Sequence, residues 1–567
     1  MNHTRVWAPR PERVTLVVDG RRQAMDREAG GWWIGPELAP GARYGFLLDD
    51  DPVPKPDPRS RRLPDGVHGL SEATRERVAD VGDWRGRELR DGVIYEFHIG
   101  TFTPEGTLDA AIGRLDHLDD LGVAFVEPLP VNAFNGVWGW GYDGVAWFAV
   151  HEPYGGPDAY ARFVAACHEH GLGVIQDVVY NHLGPSGNHL PRFGPYLRED
   201  GANTWGAYVN LAEPEVRRYI LDNARMWFEE YGVDGLRLDA VHALHDDTNE
   251  HILAALSRET DALAARLGRP LTLIAESDLN DPVMFRPREA GGHGLTAQWS
   301  DDYHHAAHVA LTGETDGYYA DFAPLESLGT VMTRGFFHAG TWSSFRERVH
   351  GVPPDADVEA WRLVTFVQDH DQVGNRAAGD RLSATLTPDE LAVAAVLAVL
   401  TPYTPMLFMG EEWGARTPWQ FFTSHPEPEL GIATAKGRIE EFARMGWDPA
   451  VVPDPQDPAT FERSRLDWSE LEREPHRALL GRYRELVALR SREPELRSGL
   501  LADTRADVDA GRRRVTIERG AVRIRLNLGA EEWAEDADET LLFASREAAS
   551  AAPVRVPPKA AVVSRVQ

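Results

Sequence analysis

Residues 171–182 read Gly171-Leu-Gly-Val-Ile-Gln-Asp-Val-Val-Tyr-Asn-His182. An amphipathic helical stretch, 158–171, stops at the glycine, the expected residue just past a helix end. A short apolar run follows at 174–179, without the alternation of a strand that faces water. Continuous runs of this kind mark parallel strands covered on both faces. The run closes on Asp177, Asn181 and His182. The stretch therefore reads as one helix-to-strand passage of an α/β protein, with polar chemistry at the strand's C-terminal end.

The same passage recurs outward in both directions. Apolar runs stand at 93–99, 123–129, 174–179, 235–239, 271–276, 295–299, 363–368 and 406–409. Leu108, Ile112, Leu115, Leu118 and Leu121 form a helical stripe between the first two, and 214–231, 250–267 and 388–400 also read as helices. Eight strand–helix units predict an α/β fold, a (β/α)8 TIM barrel, over 89–494. Residues 1–88 carry short β runs (14–18, 31–34, 44–48) and a proline-rich stretch from Pro52, which predict an N-terminal β-sandwich that the chain leaves through the prolines. Strand-like runs after 515 predict a C-terminal β-sandwich over 495–567.

Composition narrows the function. The 567 residues carry 59 basic and 89 acidic side chains, a net charge of −30, which argues against a nucleic-acid partner. No run of about 18 apolar residues occurs, so no membrane span is expected. The N-terminus lacks a secretory leader pattern, and the single cysteine, Cys167, cannot form an intrachain disulfide. A cytoplasmic protein is expected.

In such a barrel the site lies at the C-terminal strand ends. Asp177 and His182 follow the third strand, Arg237 and Asp239 the fourth, Glu276 the fifth, and His370 and Asp371 the seventh. Paired carboxyls suit acetal cleavage, in which one protonates the leaving oxygen and the other traps the anomeric carbon. Arg237 stands two residues before Asp239, so both side chains point the same way, and a fixed guanidinium there favours Asp239 as nucleophile. Glu276, with no cation beside it in sequence, is the better acid, and Asp371 a third carboxyl for sugar hydroxyls. The alternative for Arg237 and Asp239 is a core ion pair. His182 and His370 lack metal-ligand spacing, and hydrogen bonds to sugar hydroxyls fit them better. Tyr142 and Asp143, in Trp138-Gly-Trp-Gly-Tyr-Asp-Gly144, offer a stacking ring and a polar neighbour.

Four segments resemble the signature regions of the α-amylase superfamily: Asp177-Val-Val-Tyr-Asn-His182, Gly235-Leu-Arg-Leu-Asp-Ala-Val-His242, Ile274-Ala-Glu-Ser277 and Gln368-Asp-His-Asp-Gln372. The resemblance implies Asp239 as nucleophile, Glu276 as acid/base and Asp371 as stabiliser. It makes Arg237, His182 and His370 sugar contacts, Tyr142 a platform and Asp177 a support. Longer segments, among them Ser300-Asp-Asp-Tyr-His-His305 and Phe408-Met-Gly-Glu-Glu-Trp-Gly414, are similar to the branch of that superfamily that releases trehalose from maltooligosyltrehalose. Many amylases place Lys-His after the nucleophile; here Ala240-Val241-His242 lacks the lysine, which implies a different leaving-side pocket around His242. The loop at 183–210 is short for the family and holds Trp205, a candidate wall for trehalose. Asp302, His304 and His305, after the sixth strand, are candidates for the glucan side. No cofactor and no required calcium are expected. A glycogen branching or debranching enzyme, and a non-catalytic glucan-binding protein on the same fold, stay open as alternatives; the three carboxyls argue against the latter. The oligomeric state stays open too.

Overall fold

The computed structural model describes residues 3–75, 77–203, 206–444, 451–497, 499–547 and 549–566. Its centre is a closed parallel barrel of β1 (Ile94–Phe97), β2 (Phe125–Pro128), β3 (Gly173–Val178), β4 (Gly235–Leu238), β5 (Thr272–Ala275), β6 (Ala297–Trp299), β7 (Leu363–Thr365) and β8 (Thr404–Phe408). Neighbours in sequence are neighbours in the barrel, and β8 closes on β1 through Met406–Ile94 and Phe408–Glu96. All eight expected runs supply a barrel strand.

Side chains two apart on a strand face the same way. Ile94, Phe125, Ile175, Ile274, Val364 and Met406 pack together inside the barrel. Two residues further along β1–β4 stand Glu96, Glu127, Asp177 and Arg237, all buried. The barrel interior thus changes from apolar to charged toward its C-terminal end, where the site sits.

Helices cover the outside. Leu108–Ile112 and Leu115–Leu121 bury the predicted leucine stripe, broken between them at Gly113. Gly156–Glu169 buries Cys167. Pro388–Val399 starts on a capping box formed by Thr387 and Glu390, a feature worth about 1 kcal/mol. Ala392–Val399 are buried all round, because this helix is sandwiched between His476–Arg492 and the C-terminal strand Ala560–Val566.

The flanking segments are β-rich, as expected. Near the N-terminus a sheet of Arg21–Ala24, Val14–Val18, Arg43–Leu48 and Ser71–Glu72 faces a smaller one of Arg5–Trp7, Trp32–Ile34 and Asp26–Arg27. The proline-rich stretch does not leave this sheet. Lys55 exchanges backbone bonds with Phe46, and Ser71–Glu72 returns to pair with Arg43 and Tyr44. Prolines remove donors only at their own positions, so Lys55 between them can still pair. At the other end a five-stranded sheet centred on Val522–Asn527 and a three-stranded sheet around Val554–Val556 complete the chain.

Candidate active site

Arg237 organises the cup above the barrel. Its side chain is fully buried and lies 4.5 Å from the Trp299 ring centroid. Nη1 donates to both oxygens of Asp177, each at 3.0 Å, and to Asp239 Oδ1 at 2.6 Å. Nη2 lies 3.6 Å from Glu276 Oε2. One guanidinium therefore reaches the carboxyls of β3, β4 and β5 together. Asp239 and Glu276 sit on one side of the cup, not on opposite walls.

The second oxygen of Asp239 accepts from Asn181 Nδ2 at 2.7 Å, and the same amide nitrogen donates to the Asp239 carbonyl at 2.9 Å. The Asn181 side-chain oxygen contacts His182 Nδ1, so this amide is engaged at both ends. Glu276 is held differently. The backbone N–H of Ala240 donates to its Oε2. Ala240 can do so because it adopts a left-handed conformation, φ +40°, which turns the chain directly after Asp239. Burial raises the Glu276 carboxyl above its ordinary range, and Asp239 and Asp371 add to this against the pull of Arg237 and His242. That is the direction a proton donor needs.

His370 joins the third carboxyl to the network. Its backbone N–H and its Nδ1 both bond Glu96, and its Nε2 lies 2.7 Å from Tyr142 Oη. Tyr142 in turn donates to Asp177 Oδ2 at 2.7 Å and stacks on the His370 ring. Burial alone would lower His370, but Glu96 and Asp371 outweigh it and carry it up to about 10. As a cation it donates from both ring nitrogens, which matches both contacts. Burial pushes Asp177 up to about 7 even with Arg237 beside it. Asp369 caps the short helix His370–Gly374 by accepting from Gln372 N at 2.6 Å. That helix presents Asp371, 43% exposed, toward solvent, with Asn375 Nδ2 3.1 Å from its Oδ1.

The other expected residues divide. His182 Nε2 lies 2.9 Å from the Tyr142 carbonyl, and Asp143 faces His182 and His425. His242 accepts at Nδ1 from the Asp278 N–H at 3.4 Å, beside Glu276. Trp205 lies outside the described residues. Asp302 and His304 are not brought into the cup. Asp302 Oδ2 accepts from Asn280 Nδ2, Phe337 N and His338 N, each at 2.8 Å. His304 is buried with Nδ1 on the Val367 carbonyl and Nε2 on Tyr319 Oη, both at 2.9 Å. His305 is likewise buried, among Tyr318, Tyr319 and Phe322. The reason is helical: Asp301–Thr312 starts at the strand end, so 302, 304 and 305 turn into the protein. Asp301 instead is the residue that feels Glu276, Asp278 and Asp371, and burial with those charges raises its carboxyl well above the usual range.

Sequence reasoning missed Asp301, and it missed Glu96 and Glu127. The signal for the latter two was available: each stands two residues after an apolar interior position in a run that should be buried on both faces.

Comparison with known proteins decides the family. The family described as "Alpha amylase, catalytic domain" matches residues 75–191. The malto-oligosyltrehalose trehalohydrolase of Arthrobacter ramosus is 62% identical over 539 residues, 92% of each chain. This chain belongs to the malto-oligosyltrehalose trehalohydrolase family. The Rhizobium sp. (strain M-11) member is 57% identical across 99% of this chain and 97% of its own. A crystal structure of a putative α-amylase from Salmonella typhimurium superposes with TM-score 0.90 at 34% identity, covering 100% of this chain and 97% of the other. A pullulanase from Anoxybacillus sp. LM18-11, at 17% identity and TM-score 0.72, shares the fold. A branching enzyme of Xanthomonas campestris is more distant from the family, 29% identical over 53% of this chain.

Proposed function

We propose that this protein is a retaining glycoside hydrolase that cleaves the α-1,4-glucosidic bond next to the terminal trehalose of maltooligosyltrehalose. It releases trehalose and a shorter maltooligosaccharide, on a route from α-glucan to trehalose. The observation that carries the chemistry is Asp239 bonded to the Arg237 guanidinium at 2.6 Å while the same group stops 3.6 Å from Glu276. Family membership, together with the missing lysine after Asp239, carries the substrate.

Glu276 delivers its proton to the glycosidic oxygen as the bond breaks. Asp239 attacks the anomeric carbon, and the bound sugar becomes a glycosyl ester while trehalose departs. Water, deprotonated by Glu276, then cleaves the ester, and two inversions give net retention. Asp371 accepts hydrogen bonds from the distorted ring's hydroxyls. His370 holds the Tyr142 hydroxyl and His182 the Tyr142 carbonyl, so the two histidines set the ring that, with Asp143, bounds the cleaved sugar, and His242 faces the leaving unit. Asp177 supports Arg237. Each step runs through side chains, with no cofactor assigned a role.

Both proposed ligands are neutral sugars, which suits a chain of net charge −30 that offers nothing to nucleic acid. Among the described residues no helix is long and apolar enough to cross a membrane, and a cytoplasmic site of action fits the single buried cysteine. Product analysis tests the reading. With maltotriosyltrehalose, trehalose and maltotriose are the first products expected. Release of only glucose or maltose would assign the chain to ordinary amylase activity instead.

A further inference from the structure

The barrel interior under the cup holds bare polar atoms of both kinds. Arg237 Nε and Nη2 and Trp299 Nε1 are donors without a hydrogen-bond partner among the described residues. Both carboxyl oxygens of Glu127 are likewise without one. The three residues are 0%, 2% and 1% exposed. Buried polar groups are almost always satisfied, by protein or by ordered water. Donors and acceptors confined in one interior are matched by water molecules that bridge them, since each water can make two to four such bonds.

The geometry of Arg237 defines what a water held there would do. Its Nη1 edge is full, with Asp177 and Asp239. Its Nη2 edge points toward Glu276 at 3.6 Å, just beyond a hydrogen bond. A guanidinium that closed this gap would favour the charged form of Glu276 and take away the proposed acid. We propose that Glu127, through buried water, anchors the Nε/Nη2 edge of Arg237 and so keeps that guanidinium off Glu276. Glu127 is then a positioning residue, two shells from the reacting bond.

The surroundings agree. Glu127 is faced by Glu96 from β1, Asp177 from β3, Arg237 from β4 and His370 after β7. Burial, then Glu96 and Asp177, raise its carboxyl well above the ordinary range. A neutral acid can both donate to and accept from water, which an ionised one cannot. Glu276 is faced by Arg237, Asp239, His242, Asp371 and Asp301. Among these, Arg237 is the guanidinium whose unbonded Nη2 already lies 3.6 Å from Glu276.

The test uses the full-length enzyme, and its kinetic arm rests on the proposed hydrolysis of maltotriosyltrehalose. Glu127→Met removes the water partner at similar volume. It is expected to lower kcat by about tenfold or more, the scale of losing an outer partner of a site residue. It is also expected to move the basic limb of the kcat/KM–pH profile to lower pH, because Arg237 then lowers Glu276. Glu127→Gln keeps the hydrogen-bonding atoms and is expected to restore the limb. An unmoved limb in Glu127→Met, whatever its kcat, would overturn the proposal, because a merely structural role lowers activity at every pH alike. The second arm is independent of substrate and of any variant's folding. A crystal structure of the wild-type protein is expected to show water within about 3.2 Å of Glu127 and of Arg237 Nε or Nη2. A dry interior would overturn the proposal even if trehalose release is confirmed.

Discussion

Arg237 Nη1 lies 2.6 Å from Asp239 Oδ1, while its other terminal nitrogen stops 3.6 Å short of Glu276. This asymmetry separates two carboxyls that share one cup. Asp239 is presented as an ion-paired carboxylate, and Glu276 is left to burial and a backbone amide. Arg237→Lys is expected to lower kcat by at least about 100-fold, since a lysine's point charge cannot hold Asp177 and Asp239 through a planar fork. Wild-type kcat in that variant would remove Arg237 from the mechanism.

Glu276→Gln is expected to keep substrate binding and lose nearly all turnover. The amide can still accept from Ala240 but has no proton to deliver. Calorimetric titration with maltotriosyltrehalose should give a dissociation constant close to that of the inactive Asp239→Asn variant. Unimpaired hydrolysis would refute the acid role.

Tyr142→Phe keeps the ring and its stacking on His370 but removes the hydroxyl that joins Asp177 to His370. Hydrogen bonds to charged groups contribute about 1.5–3 kcal/mol, so kcat/KM should fall by roughly 10–150-fold. Tyr142→Ala should fall further because the platform is lost as well. Steady-state kinetics on both variants compare the two contributions, and equal losses would mean the ring contributes nothing.

The His370–Glu96 pair predicts a pH dependence of stability. His370 is raised from its usual 6.5 to about 10, so its contribution is complete below about pH 6.5 and is lost as pH rises through 10. Glu96→Gln removes the strongest of the raising partners. Urea denaturation at a series of pH values between 6 and 10 should give a shallower decline for the variant than for the wild type. Parallel curves would show that the pair does not titrate in this window.

Asp302 separates a structural role from the sugar-binding one its sequence position suggested. Asp302→Ala leaves the Phe337 and His338 N–H groups without their acceptor and takes one of two bonds from Asn280 Nδ2, which keeps the His338 carbonyl. It should destabilise the fold by about 1–3 kcal/mol or more while KM stays near the wild-type value. A raised KM with unchanged melting temperature would return Asp302 to the glucan site.

The contrast between Asp302 and Asp239 shows what the sequence could carry. All barrel strands were legible because parallel strands need continuous apolar runs, and the strand-end carboxyls stood out against them. The residues beyond β6 were not, because direction there depends on where a helix begins. A start at Asp301 sends one carboxyl to the cup and the next into the core. Glu96 and Glu127 were passed over because they lie inside strands, where a charge is least expected; their spacing from Ile94 and Phe125 was the signal, and the barrel's closure is what brings Glu96 to His370 and Glu127 into the field of Arg237. The prolines after Pro52 misled because turn-forming residues do not by themselves say that a chain departs.

The peptide amide of Ala240 has a consequence for how this site can change over generations. The tether on Glu276 belongs to the main chain, so a small residue that accepts the left-handed turn in this buried spot would carry it. Proline would erase it, having no hydrogen on that nitrogen, and branched side chains would resist the turn, whereas glycine would settle into it with less strain. Inheritance of the grip on the proton donor thus constrains the size and shape of the side chain at 240 rather than its chemistry.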